Sequence, residues 1–168
     1  MTLVELLIAM MVLTVGILAL VAAYSSGYVA LKRATRVSSA TLVADAQMER
    51  FRALQFSAIQ LNTSCGASCT EDSTFTGDSA YSSTTQVTGC ATTDSTCLPT
   101  QTKTGPDGKS YRLDTYIEYS CVSGTYVSAT SCGSGNPYPV KRVTLVVRSS
   151  TLTSPVREQS DFTAFPGS

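Results

Sequence analysis

The sequence predicts an α+β chain: a long N-terminal helix, apolar in its first half and amphipathic in its second, packed on a small antiparallel sheet with disulfide-stapled loops. Three observations carry this. Residues 1–23 are apolar almost without interruption. Residues 24–57 keep apolar side chains at steps of three and four, the period of a helix face. Beyond residue 110 the period drops to two, the period of a strand. The expected division is therefore a helical segment at 1–57 (apolar at 1–23, amphipathic at 24–57) and a head at 58–168 with Ser/Thr-rich loops and the sheet.

The first element, Met1 to Ala23, is broken only by Thr2, Glu5, Thr14 and Gly16, and only Glu5 is charged. As a helix it would be about 35 Å long, enough to cross a hydrocarbon core of about 30 Å. A secretory signal peptide has a basic start and a shorter apolar core, whereas here the first basic residue is Lys32. The missing basic flank is accounted for if a basic leader preceded Met1 and was removed, which would make Met1 the first residue of a processed chain. A carboxylate inside an apolar span costs about 2.5–3.5 kcal/mol even on lenient insertion scales, so Glu5 needs a compensating partner. The terminal amine of residue 1 and the positive helix end both qualify. The plainer alternative is that Glu5 sits at the membrane surface in the first helical turn.

The string Met1-Thr2-Leu3-Val4-Glu5-Leu6-Leu7 resembles the processed N-terminus of type IV pilins and type II secretion pseudopilins. The resemblance covers about residues 1–55 and is specific over the first seven. It implies that a prepilin peptidase cuts before Met1, that the new amine is N-methylated, and that Glu5 registers each subunit by pairing with the terminal amine of a neighbour. Met1 stands where Phe is commonest in that family, and Ala22 where many major pilins carry a proline. Thr14 and Gly16, the weakest helix formers of the span, are then where the helix would loosen on assembly. Gly16 serves equally as a point of close helix–helix approach.

The second half of the helix presents Leu31, Ala34, Val37, Thr41, Ala44, Met48, Phe51, Gln55 and Ala58 at helical spacing, and no Gly or Pro falls between Tyr28 and Leu61. The basic group Lys32, Arg33 and Arg36 reads as a lipid contact, an inter-subunit contact or a solvated face. Residues 57–110 are rich in Ser, Thr and Gly and read as a long surface loop with short strands. Cys65, Cys69, Cys90, Cys97, Cys121 and Cys132 are an even set confined to this polar part of the chain, which suggests disulfides in an oxidising compartment. Pairing in sequence order is the expectation, out of fifteen connectivities. A zinc site is the rival, weakened by the lack of any His and of any CxxC pair. Asn62-Thr63-Ser64 matches a glycan acceptor sequon.

Tyr111–Val122 alternates as a strand with one apolar face, after a turn at Gly105-Pro106-Asp107-Gly108. On that reading Asp114 and Glu118 are solvent-facing charges. Val140–Arg148 is a second strand and Val156–Phe165 a third. Three or four such strands would cover the amphipathic half of the helix.

Twelve basic residues balance twelve acidic ones, so no global charge draws the chain to nucleic acid, and no nucleic-acid site is identifiable. Without His, and with cysteines that read as structural, no constellation satisfies the requirements of an active site. The expectation is a non-enzymatic chain with no cofactor and no metal. By resemblance it is a type IV pilus subunit, held in bacterial inner-membrane lipid before assembly. It then polymerises with copies of itself, with the help of the pilus assembly machinery, into an extracellular filament for adhesion, motility or DNA uptake. The alternatives are a minor pilin or a secretion pseudopilin, since the segment Leu42–Arg52 resembles the helix of minor pilins and of one pseudopilin subgroup, or a monomeric membrane-anchored adhesion module.

Overall fold

The computed structural model describes residues 2–62, 72–120 and 140–163. The order of elements is a helix α1 (Leu3–Arg52), a 3-10 turn (Phe56–Ala58), a one-turn helix α2 (Ser73–Thr76) and four strands, β1 (Thr100–Thr104), β2 (Ser110–Ser120), β3 (Val140–Arg148) and β4 (Val156–Thr163). The chain forms two compact units, Met1–Arg36 and Val37–Ser168. The first, over its described residues, is helix alone. The second contains the end of α1 and the whole sheet.

The sheet is a meander of order β1-β2-β3-β4 with every neighbour antiparallel. β1 and β2 are joined through the expected turn, in which the Gly105 amide bonds the Lys109 carbonyl at 2.8 Å and the Gly108 amide bonds the Gly105 carbonyl at 3.0 Å. Gly108 has φ +71°, a conformation that only glycine adopts without cost. β3 matches the expected strand at both ends. β1, TQTKT, carries no apolar residue, and pairing with β2 rather than burial makes it a strand.

One face of the sheet packs on α1. Ala40, Val43, Ala44, Met48 and Phe51 meet Tyr111, Leu113, Ile117, Val143, Leu145 and Val147 in one cluster. Burying each larger side chain contributes about 1.5–3 kcal/mol. The helix face differs from the expected one. Ala44, Met48 and Phe51 are inside, whereas Val37 and Thr41 are exposed and Ser39, Ala40, Val43 and Gln47 take the buried positions. Burial of the helix begins only at Ser39 among the described residues.

The α-helix stops at Arg52, short of residue 57. Its last turn tightens, with the Leu54 amide bonding the Phe51 carbonyl at 3.1 Å. The Lys141 ammonium then answers the carbonyls of Phe56 and Ile59, at 2.7 and 2.9 Å. Lys141 is 2% exposed and lies against the rings of Phe56 and Tyr119. Burial pulls its pKa down to about 8.

The other face of the sheet is also covered, which corrects the reading of β2 as half-buried. Phe75 stacks on Tyr116 with ring centroids 4.4 Å apart, and Val146 completes the cluster. Phe75, with Ala80 and Tyr81 packed beside it, forms this outer layer, so part of the Ser/Thr-rich stretch read as surface loop is a packed layer. Val87, from the same stretch, is buried in the helix-side core instead.

Candidate assembly surface

The first unit offers one feature with chemical consequence: its large apolar side chains face outward on every side. Met11 is 71% exposed, Leu18 69% and Leu20 73%, and residues between them are exposed as well. Leu3–Arg52 is long and apolar enough, by length and composition, to cross a membrane. A helix that is hydrophobic all round is one that other apolar matter must cover. Lipid and other helices are the two candidates for this cover.

Glu5 sits in the first turn of α1, exposed, and its Oε2 accepts from the Thr2 amide at 3.4 Å. The Glu5 and Leu6 amides bond the Thr2 carbonyl at 3.0 and 3.4 Å. Thr2-x-x-Glu5 is thus a capping box in sequence and in its carboxylate contact. That signal was legible in the sequence, and it gives the carboxylate a local use besides the expected registration. Met1 lies outside the described residues.

Thr14 turns its hydroxyl back to the carbonyls of Met10 and Met11, at 2.8 and 2.9 Å. Such back-bonding satisfies the hydroxyl in an apolar setting and slightly weakens the helix. At Gly16 a methyl group would meet nothing within 4 Å. Packing among the described residues therefore does not require glycine there. The helix runs through both residues without a break. Further on, the Lys32 ammonium lies 4.4 Å from the centre of the Tyr28 ring, while Lys32 and Arg33 are exposed.

In the head, Cys90 and Cys97 form a disulfide as expected. Cys65, Cys69, Cys121 and Cys132 lie outside the described residues. The Cys90–Cys97 loop is tied to α1: the Gln47 amide donates to the Ser95 carbonyl at 2.6 Å, and Arg50 donates to the Ser95 hydroxyl at 2.5 Å. Asn62 is buried, and its Nδ2 donates to the Thr92 carbonyl at 2.9 Å. The sequon nitrogen is thus engaged in packing this loop.

The carboxylates of β2 are not solvent-facing. Asp114 is fully buried, receiving Arg112 Nε at 2.8 Å, Arg148 Nε at 2.9 Å and the Thr100 hydroxyl at 3.0 Å. Arg112 also pairs with Asp72, which caps α2 by accepting from the Thr74 and Phe75 amides. Arg148 also reaches Asp78, which Arg157 grips with two nitrogens at 2.8 Å. The result is an alternating chain, Asp72–Arg112–Asp114–Arg148–Asp78–Arg157, that fastens the outer layer to the sheet. Hydrogen bonding to Arg112 holds the Asp72 carboxyl well below the ordinary range. Burial works to raise Asp78, but Arg157, the Ala80 amide and Arg148 together hold it low. Glu118, 9% exposed, is pushed up by burial. The sequence reading missed this chain because its two halves are far apart in sequence. Its only local trace is the presence of Tyr116 and Val146 on faces otherwise read as polar.

Compared with profiles of known families, with characterised proteins and with solved structures, the chain shows no significant match.

Proposed function

We propose that this chain is a structural subunit of a cell-surface filament of the type IV pilus kind, anchored in the inner membrane through α1 before assembly and polymerised through α1 afterwards. The observation that supports this most is the first unit's all-round apolar exposure, joined to a head whose described residues form a core of their own. Membrane lipid and then the same helices of other copies would supply the missing cover in turn. Packing of this kind gains from close approach at small residues, and Gly16 and Gly27 leave open space for it. Glu5 would exchange its long contact with the Thr2 amide for the amine of Met1 on a neighbouring copy, a stronger charge-assisted bond. The reading includes an N-methylated Met1. It assigns no catalytic role to the chain. The segment Leu42–Arg52, whose likeness to minor pilins leaves the subunit's rank open, carries the buried stripe that holds the sheet.

The test is Glu5→Val in the native host, with filaments sheared off and counted by electron microscopy. The expected result is a folded head, a membrane-retained chain and a filament yield reduced by about tenfold or more, as for loss of a buried ion pair. Wild-type abundance and length would end the registration role. A second reading, a monomeric anchored module, is favoured by the capping contact, which gives Glu5 a use that needs no neighbour. It predicts that Glu5→Val leaves the chain in the membrane as before and that no filament contains it.

A further inference from the structure

On the sheet face turned away from α1, beside the ion chain, lies a polar cleft of about 640 Å³. This is within the range of sites that hold small organic ligands. Thr144 and Gln159 pair across β3 and β4 and form its floor, with Glu118 of β2 beside them. Tyr81, Thr84 and Thr85 form its wall.

The chemistry of this lining is selective. Among the described residues Glu118 accepts from the Thr85 hydroxyl at 3.3 Å, and a carboxylate can accept about four bonds. Gln159, exposed on the edge strand, offers both donors and an acceptor. The Thr84 and Thr144 hydroxyls can act in either sense. The cations near the cleft are already committed. Arg157 holds Asp78 with both terminal nitrogens, and Arg142, opposite Glu118, holds Asp161 through two bonds of 2.8 Å. Among the described residues that line the cleft, none is left as an unpaired cation to attract a phosphate or a carboxylate, and Glu118 repels both. The Tyr81 ring, set edge-on against Phe75 at 5.6 Å, is a rigid aromatic surface in the wall.

The geometry points to a neutral carbohydrate of one or two rings as the ligand of this cleft. Hydroxyls that both donate and accept would meet Gln159, Glu118 and the threonines, and a C–H face would lie against Tyr81. This site belongs to the head alone and stands whether or not the chain forms filaments.

The test uses the full chain in a sugar-free zwitterionic detergent. Lactose, maltose and N,N′-diacetylchitobiose are titrated, with glucose 6-phosphate as the anionic probe, and binding is read by saturation-transfer NMR. At least one neutral disaccharide should bind saturably, and Gln159→Leu and Thr84→Val should each weaken it by about tenfold. Both positions are exposed, so the head should remain folded, which far-UV circular dichroism checks. The proposal is overturned if no neutral sugar saturates, if both variants bind as the wild type does, or if glucose 6-phosphate is preferred.

Discussion

The two units of this chain treat the same kinds of residue in opposite ways. In the head, the helix is sorted: Ala44, Met48 and Phe51 are fully buried while Leu42, two residues before Ala44, is 53% exposed. In the first unit there is no sorting, and Leu, Ile, Val and Met stand outward at every angle. The head's apolar residues are spent on its own fold. Those of residues 3–31 are exposed among the described residues. A stability measurement on the isolated protein should therefore report on the head and be nearly blind to the first unit, whereas an assembly measurement should do the reverse.

The largest effect expected on the head comes from Asp114→Ala. It would leave Arg112 and Arg148 facing each other on a buried sheet, at a cost of about 3–5 kcal/mol in denaturant unfolding. If the change is instead neutral, the ion chain is ornamental and the outer layer is held by Phe75 and Tyr116 alone. Met48→Ala follows, with a loss of about 2–5 kcal/mol from the helix–sheet core. Its counterpart in the first unit, Leu13→Ala, should shift head stability by no more than about 0.5 kcal/mol. Equal effects from these two would erase the distinction between the units. Replacing both Cys90 and Cys97 by Ala should cost the head about 2–3 kcal/mol, from the freed loop in the unfolded chain.

The smallest effect is in the pH profile of head stability. Asp72, Asp78 and Asp161 have lowered pKa values in the folded state. The stability they contribute is complete above about pH 5 and is lost as pH falls through the carboxylate range. Lys141 acts at the other end. Its folded pKa of about 8 lies below the ordinary 10.5, so the unfolded chain binds the extra proton between these values. Head stability should rise across that window, and Lys141→Met should remove the rise. A flat alkaline limb in the wild type would show that Lys141 stays charged at no cost.

Much of the fold was legible because its signals are local. Strand alternation in Val140–Arg148 fixed both ends of β3, and Gly105–Gly108 announced the hairpin that β1 completes. The helix was legible from the absence of breakers. The burial of the helix face was less so, since periodicity shows that a stripe exists but not where the covering sheet begins. The outer layer was illegible for a different reason. Phe75 and Tyr81 are lone aromatics in a Ser/Thr-rich stretch, and the pairing of Asp72 and Asp78 with arginines on β2, β3 and β4 is a matter of tertiary placement. For the same reason Asp114 and Glu118 looked like surface charges. In the first unit, Glu5 was visible as an anomaly from the start, and its bond to Thr2 could have been read from the T-x-x-E spacing.

The central claim is that residues 3–31 are covered by the same residues of other copies. A photo-reactive benzophenone side chain placed at Leu13, irradiated in cells that carry the full chain, tests it most directly. The account predicts covalent chain-to-chain dimers and a higher ladder, both sharply reduced when Glu5→Val is added. Adducts only to lipid, with or without Glu5, would contradict it.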